Sequence, residues 1–382
     1  MIIFLFYNLI IMTKSMDKSK FGKVYVIKTS PEYVIGDYAK ILNFSDINKN
    51  FNLSTKTLIK ANISWQHYFP ACSTAPWQLD GVIRGLRSLK FTDIEVAHNG
   101  TVVVDAHEGK RNNGFEDIER NLSVKSTVLD DPGQDWVTYK PKGNMNVLDR
   151  IYPEGIKVPR KLFGTNIIHL PTVKTHVFTT ITGAMKNAFG GLLHQNRHWA
   201  HADIHNTLVD LLRIQYEIHD NVFAVMDGTF AGDGPGPRAM SFMVKNYILA
   251  SYDQVAIDSI SAKLMGFDPM QIPKLRIAHE AGLGIAKPSE IKVEGDSIEK
   301  QNWNFSKNKN TFASRIQKLI YWGPLKPLEK LLLRTPLVNF AFLASNLYHN
   351  TFWLRFIGKS RVRSAFETSW GRLLSNYKII KP

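Results

Sequence analysis

The chain has 382 residues, of which 44% are hydrophobic and 21% are charged, a composition typical of a folded globular protein. Its single cysteine, Cys72, excludes an intrachain disulfide, a four-cysteine zinc site and an iron–sulfur cluster held by the cysteines of one chain. No activating partner for a nucleophilic thiol is evident, so we expect Cys72 to be a small buried residue.

The net charge of +15 is concentrated at one end of the chain. Residues 301–382 hold fourteen Lys and Arg against two Glu, which places +12 there and leaves +3 for the rest. A nearly neutral body is expected for a domain that handles small molecules rather than a polyanion. We therefore divide the chain into an N-terminal tail at 1–22, an α/β ligand-binding domain at 23–296 and a basic amphipathic C-terminal extension at 297–382.

The tail begins with twelve mostly apolar residues, MIIFLFYNLIIM. They lack the charged start and cleavage pattern of a signal peptide, and they fall short of the about 20 residues that span a bilayer. Met12 and Met16 stand just before the first predicted strand. We interpret one of them as the true start, with a membrane-dipping anchor as the alternative.

From residue 21 to about 295, short β-branched runs alternate with longer amphipathic stretches, which is typical of α/β proteins. Strands are predicted at 23–29, 57–63, 93–99, 166–172, 222–228 and 247–253, and helices at 76–89, 115–122, 205–217, 254–265 and 271–281. The predicted fold is a twisted parallel or mixed sheet with flanking helices. Ligands bind such sheets at the carboxyl ends of the strands.

The end of the second predicted strand carries a lysine. Lys60 and Asn62 share one face of this strand because side chains alternate along it. A lysine among apolar neighbours requires a partner. Either a nearby carboxylate or a bound ligand fills that role.

Residues 171–191, PTVKTHVFTTITGAMKNAFGG, gather cations, hydroxyls and glycines without one negative charge. Such groups hold phosphate or carboxylate, and glycine permits close backbone approach. A Walker loop is excluded because no GK followed by Ser or Thr occurs. The interleaved apolar residues argue against the alternative of a solvated basic turn. The predicted binding residues are Lys174, Thr175, Asn187 and Gly190, and the predicted catalytic residues are His176 and Lys186.

A third strand end holds Asp227, followed by a loop rich in glycine and proline that includes Gly234. Such a loop is shaped rather than merely flexible. Asp227 is predicted to act as a base or metal ligand, with capping of the turn as the alternative. Asp258, on a predicted helix, either faces the same crevice or lies on the helix surface.

The order of these blocks, from KxN through PTVKTH, TGAMKN, FGG, MDG and GDGPGP to SYDQVAIDSISAKLMG and HEAGLGI, resembles the uncharacterised family called domain of unknown function 362. The resemblance runs from about residue 57 to 295. Some members of the family carry a cysteine-rich ferredoxin module, which this sequence lacks. The resemblance implies that the site residues are Lys60, Asn62, Lys174, His176, Lys186, Asn187, Asp227 and Asp258.

Four histidines, His194, His198, His201 and His205, follow the site at spacings that would align them on a helix. Imidazoles so placed bind zinc, nickel or iron, so a divalent metal at His198, His201 and His205 is one interpretation. The surrounding residues interrupt helices. We therefore favour a histidine-rich loop that closes over the site.

In the extension, twenty uncharged residues lie between Arg334 and Arg355. Their length suits a membrane span, but their polar residues favour an amphipathic region on an anionic membrane, with Trp322, Trp353 and Trp370 at the interface. A helical extension that packs on the core or on a second subunit remains open. Single-stranded nucleic acid is disfavoured because no RNA-binding signature is present.

Two functional hypotheses follow. The first is an enzyme that binds a small anionic metabolite in a crevice of Lys, His and Asp residues. The second is a non-catalytic, membrane-peripheral ligand-binding or scaffold protein. A cytoplasmic location is expected in both cases, with attachment to a membrane in the second.

Overall fold

The computed structural model describes residues 18–101, 103–193, 196–307 and 309–382. The prediction for the first seventeen residues and the role of His194 lie outside this part of the chain. The strands are β1 (Lys23–Lys28), β2 (Thr57–Ala61), β3 (Ile94–His98), β4 (Lys125–Val128), β5 (Trp136–Tyr139), β6 (Ile156–Pro159), β7 (Thr165–Leu170), β8 (Thr172–His176), β9 (Thr180–Ile181), β10 (His219–Asp233), β11 (Ser241–Ser251) and β12 (Lys292–Gly295).

The helices of the α/β domain are α1 (Val34–Phe44), α2 (Ile47–Asn50), α3 (Pro76–Ser88), α4 (Ala106–Asn112), α5 (Phe115–Asn121), α6 (Leu148–Ile151), α7 (Gly183–Asn187), α8 (Phe189–Leu192), α9 (Ile204–Ile218), α10 (Gln254–Met265) and α11 (Pro273–Glu280). Those of the extension are α12 (Phe312–Tyr321), α13 (Glu329–Leu333), α14 (Val338–Asn346), α15 (Lys359–Phe366) and α16 (Gly371–Ser375), with a π-helical segment at Leu347–Gly358. Short 3-10 segments include Arg197–Asp203.

The central sheet has the order β12-β1-β11-β10-β7-β2-β3-β4. Along this order the neighbours are parallel, except that β11 runs antiparallel to both β1 and β10. The predicted mixed sheet flanked by helices is confirmed. Because β2, β3, β7 and β10 run the same way, their carboxyl ends meet at one edge.

Helices cover both faces of this sheet, so its strands are apolar on both sides. On β1, Tyr25 and Ile27 belong to the core that includes α1 and α3, whereas Val24 and Val26 belong to the core that includes α10. The helix α9 packs on the second side, where it forms a further apolar cluster with β2 and β7.

The strand β10 is longer than predicted. Gly232, which belongs to the glycine-rich loop predicted after Asp227, lies within β10. A side chain at Gly232 would place its Cβ 2.6 Å from the sulfur of Met240 and 3.1 Å from Cβ of Lys174. This glycine therefore permits close packing of a strand and does not form a turn.

The extension packs on the α/β domain. Trp370 is fully buried, its ring centroid lies 4.9 Å from that of Trp77, and its indole N–H donates to Asn246. Trp353 is buried against Phe69. The prediction that Trp353 and Trp370 lie at a membrane interface is therefore wrong, because both rings complete the protein core.

The third tryptophan, Trp322, is 47% exposed. Within the described ranges, no helix has both the length and the hydropathy required to cross a membrane.

Candidate functional site

A cavity of about 270 Å³ opens at the carboxyl edge of the sheet, between the strand ends and the extension. One wall, here called the strand wall, comes from the α/β domain and includes Lys60, Asn62, Ser64, Asn99, His176, Lys186, Asn187, Gly190, Arg197 and Arg238. The opposite wall, here called the extension wall, includes Ala313, Tyr321, Leu333, Val338, Ala341 and Phe342. The cavity therefore lies where α/β sheets place their ligands.

Lys60, near the end of β2, is only 3% exposed. Its ammonium donates to the carbonyl of Ala61 at 2.6 Å, and no carboxylate of the described residues lies within ion-pair distance of it. Burial lowers the pKa of Lys60 to about 7, against an opposing effect of Asp130. The sequence left two partners open for Lys60, a nearby carboxylate or a bound ligand. Among the described residues, no carboxylate fills this role.

Glycines bring the backbone close to Lys60. Gly191 has a φ of +94°, and a Cβ there would lie 3.0 Å from Cε of Lys60. A Cβ at Gly190 would lie 2.6 Å from the side-chain nitrogen of Asn99. Gly190 lines the cavity, and the group that it allows to approach closely is Asn99, so its predicted contact with a ligand stays a prediction.

Asp258 does not line the cavity; it fixes the start of α7. Its carboxylate accepts hydrogen bonds from the backbone N–H groups of Ala184 and Met185 and from the ammonium of Lys274 at 2.9 Å. Asp258 and Lys274 are both fully buried, which makes them a closed ion pair. Asp258 is consequently a positioning residue for the helix that carries Lys186 and Asn187.

Lys186 borders the cavity from α7. Its ammonium lies 5.4 Å from the ring centroid of Phe189, and among the described residues it has no hydrogen-bond acceptor or carboxylate partner. Burial lowers its pKa to about 7, and repulsion from Lys174 and Lys274 adds to this effect. Next to it, Asn187 donates to the carbonyl of Lys60 at 2.9 Å and so ties α7 to β2.

His176 presents a defined face to the cavity. Its Nδ1 accepts hydrogen bonds from the backbone N–H groups of Phe178 at 3.2 Å and Thr179 at 3.4 Å. Burial and the surrounding cations hold the pKa of His176 well below its usual value. The ring is thus neutral, and these bonds assign its proton to Nε2. In this tautomer the Nε2–H group can donate a hydrogen bond, and the predicted acid-or-base role of His176 stays a prediction.

Two arginines complete the strand wall, and neither they nor Asn99 were predicted. Arg197 donates to the carbonyl of Gly100 at 2.5 Å and lies 3.8 Å from Asp130. Arg238 donates to the carbonyl of Ser64 at 3.1 Å. No Asp or Glu is among the described residues that line the cavity.

Lys174 lies behind the strand wall. It is fully buried, and its ammonium donates to the carbonyl of Cys72, to Thr172 at 3.0 Å and to Ser64 at 3.5 Å. Burial lowers its pKa to about 8. A direct contact of Lys174 with a ligand, which the sequence predicted, is therefore not supported; Lys174 holds the loop after β2. Cys72 is fully buried, as expected.

Thr175 and Gly234 also shape the cavity without lining it. The Thr175 hydroxyl donates to the carbonyl of Gly234 at 2.7 Å and accepts from its N–H at 3.0 Å. This pair fixes the loop that carries Arg238. Asn62 does line the cavity, and its amide donates to the carbonyl of Cys72 at 3.2 Å.

The prediction that Asp227 is a base or metal ligand requires correction. One of its carboxylate oxygens accepts from Tyr38 at 2.5 Å and Trp77 at 3.0 Å, and the other accepts from the N–H and hydroxyl of Thr229. Asp227 is 1% exposed and does not border the cavity. Its hydrogen bonds are satisfied by the protein, so it stabilises the core.

The three histidines proposed as metal ligands have separate protein partners. His198 donates to the carbonyl of Leu333 at 2.8 Å, and His201 donates from Nδ1 to the carbonyl of His198 at 3.3 Å. His205 accepts from the N–H of Lys274 at 3.2 Å. Across the described ranges, which exclude His194, no three His, Cys, Asp or Glu side chains are grouped to hold a metal ion. His198 and His201 instead line the cavity, in accord with a histidine-rich loop beside the site.

Fold and site together define an α/β protein with a cationic cavity at the carboxyl edge of a mostly parallel sheet. Residues 57–263, more than half of the chain, match the family described as domain of unknown function (DUF362). The protein belongs to this family, which confirms the resemblance noted from its sequence.

Similarity to individual proteins is more distant. A thylakoid-associated protein of Synechocystis is 27% identical over 120 residues, which cover 31% of this chain and 37% of that relative. A crystal structure of a Thermotoga maritima protein matches 63% of this chain and 61% of its own, with 13% identity and a TM-score of 0.36. The chain thus spans less than two thirds of either protein.

Proposed function

We propose that the protein is an enzyme that binds a small phosphate- or carboxylate-bearing metabolite in this cavity. The observation that carries the proposal is the charge of the lining: Lys60, Lys186, Arg197 and Arg238 border the cavity, and none of its described lining residues is acidic. Lys60 and Arg238 are buried, whereas Lys186 and Arg197 are half-buried. Among these four, Arg197 has a carboxylate of the described residues, that of Asp130, within ion-pair distance, and the other three do not. A buried cation requires a counter-charge. A bound anion supplies it through charge-assisted hydrogen bonds.

Four groups that border the cavity have complementary roles in this proposal. Lys60, Lys186 and Arg197 hold the anionic group through charge-assisted hydrogen bonds. An oxygen of the ligand on which negative charge develops during the reaction accepts a hydrogen bond from Nε2 of His176.

Calorimetric titration with inorganic phosphate, pyrophosphate and succinate tests the binding step. Loss of a charge-assisted hydrogen bond is expected to weaken binding by about 10- to 100-fold in Lys186→Met and in Lys60→Met. The matched control is Lys292→Met, which removes an exposed lysine of β12 and is expected to bind like the wild type. Unchanged affinity in both cavity variants would remove the basis of the proposal.

A second candidate function, peripheral membrane attachment, is favoured by the surface of the extension. Phe312, Phe340 and Phe356 are 70%, 71% and 68% exposed. Basic residues lie close to Phe312 and Phe356 in the sequence, and Arg334 and Arg355 bound the uncharged stretch that contains Phe340. Apolar side chains among Lys and Arg suit an anionic bilayer surface. The Synechocystis relative is named for its association with thylakoids, in line with this candidate.

Co-sedimentation with phospholipid vesicles tests this candidate. The double variant Phe340→Ser, Phe356→Ser is expected to partition onto anionic vesicles about tenfold less than the wild type. Tyr33→Ser removes an equally exposed aromatic residue, 71% exposed, outside the extension and serves as the control. Equal sedimentation of the wild type and the double variant would contradict membrane attachment through this surface. Deletion of residues 303–382 is unsuitable, because it would also remove buried tryptophans.

A further inference from the structure

The two walls of the cavity differ in chemistry. The strand wall presents cations and amides, including Lys60, Lys186 and Arg197. The extension wall presents the apolar and aromatic side chains named above, and five polar residues of the extension also line the cavity: Thr311, Ser314, Gln317, Ser345 and His349. Leu333 and Val338 pack in one apolar cluster with Phe178, which also borders the cavity. A phosphate or carboxylate group satisfies the first wall but leaves the apolar part of the second in contact with water.

The helix α14 carries apolar residues on both sides, and its polar residues are Asn339, Ser345 and Asn346. Val338, Ala341 and Phe342 face the cavity, at the spacing of one helical face. On the other side, Phe340 and Leu343 are 71% and 56% exposed. The helix carries no charged residue over its whole length. A helix of this kind is suited to apolar surroundings on both sides.

Resting on the proposed function, we infer that the ligand is an amphiphile: an anionic head group that binds Lys60 and Lys186, joined to a hydrocarbon part that packs on the extension wall. The aromatic rings beside the cavity fit this division. The ring centroid of Phe178 lies 6.0 Å from that of Tyr321, and the ring centroid of Phe342 lies 5.7 Å from that of His198. The extension and the α/β domain therefore share an aromatic lining. The hydrocarbon part covers this lining, and the head reaches the lysines.

The same chemistry belongs to a lipid taken from a bilayer and to a free alkyl or isoprenyl phosphate. Binding of the free compound in buffer is therefore measured first. A second arm offers an equal amount of the compound in neutral vesicles, which distinguishes uptake from a membrane from uptake from solution.

The test is a calorimetric series with butyl, hexyl and octyl phosphate below their micelle concentrations. Each added methylene that enters an apolar site is expected to strengthen binding by about fourfold, until the extension wall is covered. Ala341→Trp, which fills the apolar side, is expected to abolish this dependence on length while leaving the binding of inorganic phosphate. Phe340→Trp is the matched control, since it alters the neighbouring residue on the exposed side of α14 and should retain the full dependence.

Each outcome separates this inference from the anion site itself. Equal affinity for butyl and octyl phosphate overturns the amphiphile and leaves the proposed anion site intact. If the dependence of affinity on chain length survives in Ala341→Trp, the alkyl phosphate binds elsewhere and the inference is overturned. The same conclusion follows if Lys186→Met keeps both this dependence and the affinity of the wild type. If neither inorganic phosphate nor any alkyl phosphate binds, the proposed function fails as well.

Discussion

Folding buries Lys60 and half-buries Lys186, and neither forms an ion pair with a carboxylate of the described residues. Their pKa values near 7 have a direct consequence for binding. An anion attracts only the ammonium form, so binding and protonation favour each other.

We expect anion affinity to fall as pH rises through about 7, by up to tenfold per pH unit for each lysine that must be protonated. Sulfate, whose charge is constant between pH 6 and 9, is the suitable probe, and calorimetry measures its affinity. Lys186→Arg keeps its charge over this range and is expected to flatten the profile. An affinity for sulfate that is constant from pH 6 to 9 in the wild type would contradict the assignment.

The same pKa shift predicts an effect of Lys60 on stability. Between pH 7 and 10.5 the unfolded chain binds a proton at Lys60 that the folded chain does not, so this residue destabilises the fold most at pH 7 and below. Lys60→Met is therefore expected to raise the free energy of unfolding by about 1 kcal/mol or more near pH 7, with the gain shrinking toward pH 10. Urea denaturation at several pH values measures the difference. Lys292→Met is the control, and a loss of stability at pH 7 would be the contrary result.

Asp227 and Lys60 show that the partners of a single side chain cannot be predicted from its position in the sequence. Both are polar residues at strand ends, and both were predicted to contact a ligand. Asp227 is satisfied by Tyr38 and Trp77, which are 189 and 150 residues away in the chain, so no local pattern announces these bonds. Asn99, in contrast, ends the predicted strand at 93–99, and the rule applied to Asp227 would have found it.

Among the elements, α7 has the most direct influence on the site, because it places Lys186 and Asn187. It begins at Gly183, where φ is +73° and a Cβ would lie 2.2 Å from a carboxylate oxygen of Asp258. Only glycine allows Asp258 to reach the first N–H groups of this helix.

Gly183→Ala is accordingly expected to destabilise the protein by about 2 kcal/mol or more and to weaken anion binding by displacing Lys186. Thermal denaturation and phosphate titration measure the two effects. The control, Gly36→Ala, lies in α1 with nothing within 4 Å of the added Cβ, and it should be neutral or stabilising by up to about 1 kcal/mol. Normal phosphate binding by a folded Gly183→Ala protein would show that α7 does not position the site.

Elements with a clear period were predictable from the sequence. The helix α10 has the predicted bounds, and α3 and α9 differ from prediction by one residue at their ends. One face of each helix is buried on the sheet, and this burial sets the spacing of its hydrophobic residues. That spacing is the feature of the sequence from which these helices were predicted. The end of β10 was predicted too early. In a sequence, a glycine that allows close packing of a neighbouring strand cannot be distinguished from a glycine in a turn.

For the whole molecule, the extension is the part that the sequence described least well. Its basic charge and its aromatic residues left two interpretations open, a segment on a membrane surface and a helical extension packed on the core or on a second subunit. Trp370 is buried against Trp77 and Phe230, in accord with packing on the core. Composition reports which residues are present, whereas the choice between core and bilayer depends on contacts with residues almost 300 positions away.

Trp370→Ala is expected to lower the free energy of unfolding by about 3–5 kcal/mol, as for other large buried side chains. Trp322→Ala, at a residue that is 47% exposed, is expected to cost about 1 kcal/mol or less and is the matched control. Chemical denaturation followed by circular dichroism compares the two variants. Similar losses in both would mean that the extension does not complete the core.

The position of β1 bears on how this protein is made. This first strand lies between β11 and β12, so Tyr25 pairs with Ala250 on one side and with Glu294 on the other. A ribosome releases β1 more than two hundred residues before either neighbour, and the tryptophan that packs on α3 emerges later still. The apolar strand β1 therefore remains unpaired until β11 and β12 have been synthesised. Exposed apolar segments of this kind are bound by chaperones during synthesis.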